Sequence, residues 1–362
     1  METKYRKWRE GTIYRYAGTG TAGYSGDGLQ AEEAQINGPA GLAVDGGNNV
    51  YIAEIHNNII RRVDAETNRI TTAAGCGIRG FDGDGGPAAL ARLNGPEGVF
   101  ADSFGSIFIA DTYNQRIRKV DAKTGTISTI AGTGKAGYNG DNIAACTAEL
   151  NLPAGVVVDS RGNVYFNDYK NDRIRRIDPD GLITTYAGTG IPGYSGDNGP
   201  ADQAGINDVY GLGIDKEDNI YLMDSLNFAV RKVDAKTGII TTVIGRGMPG
   251  PVTEFESVSK SYLGGPVHEK GTIGLKAPHA VEANSEGLIF IGDTGSNRIR
   301  IADLKQDLVY TVAGNGESGC SGDNARALDA SLCVHGLRAD TNNNLYFVDF
   351  HNHVVRVIRF DS

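Results

Sequence analysis

Apolar and polar positions alternate along this chain in short runs cut by Gly, Asp and Asn. The stretch from Tyr16 to Gly75 contains four of them: GLAVD is apolar, NVYIA alternates, IIRRVD alternates with arginines, and RITTAAG is rich in β-branched residues. Runs of this length, period and composition, separated by turn-forming residues, predict four antiparallel strands. The same order restarts at Ala74, Ala131 and Ala187, about 57 residues apart, and again near Ile244 and Ala313. Four strands per repeat is the pattern of a propeller blade. The last unit stops after VVRVIRF without a fourth strand, and Gly11–Gly18 (GTIYRYAG) has the fourth-strand pattern at the other end of the chain. Pairing the termini would close a ring and remove two exposed sheet edges. The prediction is an all-β, six-bladed β-propeller over residues 11–362. Residues 1–10 form an N-terminal extension, and an insertion at 245–276 replaces one inter-blade loop.

Composition sharpens this picture in a few places. Glycine supplies 51 of 362 residues and recurs in register, so it reports turns rather than low complexity. No apolar run approaches the length of a membrane helix, and Met1–Gly11 has no apolar stretch resembling a secretory signal, so a cytoplasmic protein with no membrane partner is expected. A net charge of −9 argues against binding nucleic acid through phosphates. The oligomeric state is left open. Cys320 and Cys333 fall in the loop entering the last blade, where a disulfide between them is one expectation.

The pattern AGTGxxGYSGDG…LNGPxGLAVD…GNxYIADxxNxRIRKVD resembles the NHL repeat across residues 11–360. That resemblance implies the propeller but says little about function, because such propellers carry both binding modules and small-molecule enzymes.

Residues that recur from blade to blade are expected to be scaffold. Asp27, Asp84, Asp141, Asp197 and Asp323 share a Gly-Asp turn and are read as caps of a following helical turn. Asp111, Asp168, Asp224, Asp293 and Asp349 are expected to tie down the turn between the second and third strands. The arginines Arg61/Arg62, Arg116/Arg118 and Arg175/Arg176 read as solvated outer faces.

Departures from the repeat point to function. At the entrance of the innermost strand the six blades carry Ala40, Glu97, Ala154, Tyr210, His279 and His335. Two positions further on, the residues are uniformly apolar. The turn on the same face contributes His56, Tyr113, Lys170, Leu226, Gly295 and His351, with His353 two residues beyond the last. Five of the six histidines therefore map to one face, and the sixth, His268, lies in the insertion, which is read as a partial lid. Deeper in the innermost strands, Glu282 and Arg338 are placed to form a channel salt bridge.

This set predicts a small-molecule site at the channel mouth. Acid–base catalysis would use Glu97, Tyr210, His279 and His335. Metal-assisted catalysis would use Zn²⁺ or a similar divalent ion held by His279, His335, His56 and His351. The site is also similar in construction to that of the peptidylglycine amidating lyases, a resemblance implying His279 and His335 as strand-entrance ligands with His56 or His351 from a turn. Lyase, hydrolase (lactonase-like) or isomerase/cyclase chemistry fits. The alternative is a non-catalytic recognition module that binds a peptide or protein on the same face.

Overall fold

The computed structural model describes residues 8–245, 247–249, 275–284 and 286–360. Most of the insertion, with His268 and the expected lid, lies outside the described residues. Six antiparallel sheets surround a central channel, and each follows the chain outward from its innermost strand. Blade 1 runs through Pro39–Val44, Val50–Glu54, Ile59–Val63 and Ile70–Ala74. Blades 2, 3, 4 and 5 repeat this order from innermost strands Gly98–Ala101, Pro153–Val158, Val209–Ile214 and Ala280–Ala283. Blade 6 takes Val334–Ala339, Leu345–Asp349 and Val354–Arg359 from the C-terminus and its outermost strand, Thr12–Ala17, from the N-terminus. The register pairs Ile13 with Ile358 and Tyr14 with Val357, so the ring closes as the sequence predicts.

The outer edges are covered as well. Two-residue strands at Ile143–Ala144, Gly199–Pro200 and Ala325–Arg326 pair with the outermost strands of blades 3, 4 and 6. Single bridges from Gln30 to Arg69 and from Pro87 to Thr126 do the same in blades 1 and 2. Such cover blunts edge-to-edge association.

The core is six apolar clusters among the described residues, one in each seam between neighbouring blades. Trp8, from the N-terminal extension, is buried in the seam between blades 5 and 6 with its ring against Phe290 and Phe360. Both faces of every blade are therefore packed, and this overturns part of the scaffold expectation. Arg61, Arg118 and Arg175 are not on a solvated face; with Arg231, Arg300 and Arg356 they are fully buried. Where a sheet has no wet face, an arginine survives only if its charge is matched. Arg118 shows how: Asp84 lies at 2.7 Å and the buried Asp111 at 3.3 Å, and the carbonyl of Asp82 accepts from it at 3.0 Å. The same clamp recurs with Arg61 (Asp27, Glu54), Arg175 (Asp141, Asp168), Arg231 (Asp197, Asp224) and Arg356 (Asp323, Asp349). The Gly-Asp carboxylates thus hold arginines instead of capping helical turns, whose cap positions Gln30, Pro87, Ala144, Pro200 and Arg326 make no side-chain cap bond. The turn aspartates do act as expected: Asp111 accepts from the backbone of Asn94 and from the Asn114 side chain, each at 2.8 Å. Cys320 and Cys333 are free thiols rather than a disulfide.

At the axis the chain is squeezed. In five blades glycine follows the entrance residue, and a Cβ on Gly41, Gly98, Gly155, Gly211 or Gly336 would meet the carbonyl of the neighbouring blade's entrance residue. At those five positions only a residue without a side chain lets neighbouring strands converge this closely.

Candidate functional site: the channel mouth

That convergence brings the six entrance residues around one opening. Glu97, Tyr210, His279 and His335 line a cavity of about 60 Å³ together with Ala40 and Ala154. Arg338 also lines it and makes the expected salt bridge to Glu282, 3.0 Å long, while donating to the carbonyl of Leu212. A space of this size holds a few waters or one functional group of a larger molecule.

His279 and His335 come from adjacent blades and stack, with ring centroids 4.8 Å apart and planes 16° from parallel. Tyr210 meets both rings edge-on, at 5.2 and 5.8 Å, and its hydroxyl donates to Glu97 Oε2 at 3.2 Å. Nδ1 of each histidine is buried and makes no hydrogen bond within the protein. Buried polar atoms without partners are uncommon and mark places where a ligand or water completes the structure.

Burial sets the charge state. It pushes the Glu97 carboxyl up to about 7, against the opposing effect of the Tyr210 hydroxyl. It pulls His335 down to about 3, helped by the neighbouring His279 and His351. His279 is lowered by burial too, but nearby Asp208 and a hydrogen bond to the backbone of Ala277 work the other way. Tyr210 is raised by burial and by Glu97. At neutral pH the mouth therefore holds two neutral imidazoles, a neutral phenol and a carboxyl held well toward its protonated form.

The turn histidines surround Phe350 rather than the pair. Phe350 stacks on His335 at 4.8 Å and meets His351 and His56 edge-on at 5.1 and 6.1 Å. Nδ1 of His353 accepts from the Gly38 amide at 3.3 Å, joining blade 6 to blade 1. The metal set His279, His335, His56 and His351 is not assembled. A ligand's lone pair lies in its ring plane, and two stacked, near-parallel rings share no plane in which one ion could sit. Among the described residues no group of three or more His, Cys, Asp or Glu side chains is arranged to hold a metal.

Three contributors were not found from the sequence. Phe350 and Tyr169 directly follow the turn aspartates and wall the mouth, Tyr169 lying edge-on to Tyr210 at 6.0 Å. Asn167 directly precedes Asp168 and bonds to the backbone of Tyr210. Asn167 is the one polar residue of its column, and Tyr169 and Phe350 are the two aromatic rings in a column that otherwise holds Ile55, Thr112, Ser225 and Thr294; that is the signal that would have found them.

No family model matches the chain. Human NHL repeat-containing protein 2 is 27% identical over 341 residues, which cover 84% of this chain but 44% of that protein. The chain thus spans less than half the length of that relative. Virginiamycin B lyase from Staphylococcus aureus superposes with a TM-score of 0.54 at 15% identity, covering 97% of this chain and 100% of that one. A gluconolactonase from Xanthomonas campestris gives 0.55 at 11% identity, covering 90% and 87%. At such identities these structures share the fold. With the repeat, the closed six-bladed ring and the sequence similarity on the page, this chain is an NHL-repeat β-propeller.

Proposed function

We propose that the channel mouth is the active site of an acid–base enzyme that opens a small uncharged ester or lactone, by hydrolysis or elimination. The observation that carries this reading is the pair of buried, unpartnered Nδ1 atoms on His279 and His335 beside the Tyr210–Glu97 hydrogen bond. A neutral imidazole with a free nitrogen is a general base. His279 takes the proton, from water or from a carbon next to the carbonyl, because Asp208 favours its charged form whereas the neighbours of His335 disfavour it. Tyr210 donates to the developing oxyanion or leaving oxygen, and the protonated fraction of Glu97 resupplies it. The cavity admits only the reacting group, so the rest of the substrate lies against Phe350 and Tyr169. Buried walls that offer no charged imidazole or phenol favour an uncharged molecule, since an unpaired charge there would be desolvated without compensation. The similar folds of a lyase and a gluconolactonase fit this chemistry, as analogy.

The test is a panel of lactones and cyclic depsipeptides, with ring opening followed by mass spectrometry. Wild-type turnover of at least one member, falling about 10²–10⁴-fold in His279→Ala and in Glu97→Gln with unchanged melting, is the expected outcome. Turnover that both variants preserve would overturn the proposal. A recognition role is favoured by one observation: Tyr113 and Leu226 on the rim are 48% and 54% exposed. It predicts instead that Tyr113→Ala and Leu226→Ala abolish peptide capture while the histidine variants do not.

A further inference from the structure

We propose that Asn167 is the positioning residue of this site, holding Tyr210 at the reach that its hydroxyl needs to meet Glu97. Its catalytic consequence rests on the acid–base reading above; its geometric part does not.

The side chain of Asn167 is fully buried in the second strand of blade 3, Val164–Asp168. In the other blades this column holds Ala53, Ala110, Met223, Gly292 and Val348, none with a polar side chain. A buried amide in an apolar column is costly unless all of its bonds are made. Here they are. Nδ2 donates to the carbonyls of Val209 and Tyr210 at 2.7 and 2.8 Å. Oδ1 accepts from the amides of Ala154, at 3.1 Å, and Gly155. Two donors and two acceptors use the full capacity of the group.

The four backbone groups belong to the entrances of two neighbouring blades. Both innermost strands slip register there, between Pro153 and Val156 in blade 3 and between Val209 and Leu212 in blade 4. A register slip leaves backbone groups without ladder partners and the local backbone free to shift. Asn167 takes up those groups and fixes the Ala154 entrance relative to the Tyr210 entrance. The distance it fixes is the one that matters: the Tyr210 hydroxyl crosses the small Ala154 to reach Glu97, in the blade beyond, at 3.2 Å. Alanine at 154 leaves the path open, and the amide sets its length.

Carboxyl-carbon NMR titration of Glu97, assigned with Glu97→Gln, tests this in four proteins: wild type, Asn167→Ala, Tyr210→Phe and the double variant. Released from Asn167, the Tyr210 hydroxyl no longer reaches Glu97, and the lowering that this hydrogen bond exerts on the carboxyl is lost. The Glu97 midpoint is then expected to rise, as it does in Tyr210→Phe. In the Tyr210→Phe background the same substitution is expected to move it no further, because the effect passes through the phenol hydroxyl. Equal movement in both backgrounds, or movement in neither, would overturn the proposal. Should Asn167→Ala fail to fold, Asn167→Asp replaces it, since it keeps the acceptor of Ala154 and Gly155 and loses both donors to blade 4. Turnover on any substrate found above is a separate arm, expected to fall about 10²-fold with Asn167→Ala. An inactive wild type with the expected titrations would sink the enzymatic reading and leave the positioning intact.

Discussion

His335 sits between Phe350 and His279 with parallel faces on both sides, a place suited to an uncharged ring. Its folded pKa, about 3, lies below the ordinary histidine value of 6.5. Between those two values the unfolded chain binds a proton that the folded chain does not, so stability rises with pH across that window and is lost as pH falls through it. Each pH unit is worth up to about 1.4 kcal/mol for one such group. We expect urea unfolding of wild type, followed from pH 6.5 down to 4, to lose stability more steeply than that of His335→Phe, which keeps the stack and removes the titration. Parallel curves would show that residue 335 accepts a proton in the folded mouth at no cost. Other residues of the mouth were harder to recognise than this one. The entrance residues were legible because six blades supply six examples of one position, and four of them depart from alanine. Asn167 was not: a single polar residue within VYFND reads as the start of a turn, and its bonds go to residues far along the chain.

At the scale of the element, the blade is held by its buried arginine as much as by its apolar faces. Removing one partner of a buried ion cluster leaves a desolvated charge, at a cost of about 3–5 kcal/mol. Arg118→Leu is expected to destabilise by that amount in equilibrium unfolding. Adding Asp111→Asn is expected to recover part of the loss, since burial already pushes that carboxyl up to about 6 and the orphaned charge is then gone. A single variant within 1 kcal/mol of wild type would contradict the clamp. This feature also shows where the sequence misled. Alternation in RIRKV predicts a strand with one wet face, which holds for an isolated sheet but fails where blades pack on both sides. The number and order of strands survived because turn chemistry fixes them locally, whereas the burial of a face depends on the neighbouring blade.

The whole molecule is a ring, and the ring gathers residues from blades 2, 4, 5 and 6 at one opening. Closure by Thr12–Ala17 was legible because a missing strand at one end matched a surplus strand at the other. How the four side chains meet was not legible, because rotamers and stacking are settled in three dimensions. The histidines named for a metal illustrate this: shared position on a face leaves two of them stacked and the others around Phe350. In the proposed reaction these groups act together, with Glu97 as acid and His279 as base, and the pH dependence of kcat/KM on the best substrate is the decisive measurement. Activity should fall as pH rises through about 7, where Glu97 loses its proton, and fall again on the acid side below 6.5, where His279 gains one. Glu97→Gln should erase the alkaline limb and keep the acid one. An alkaline limb near pH 7 that persists in Glu97→Gln, or a profile flat from pH 5 to 9, would contradict it.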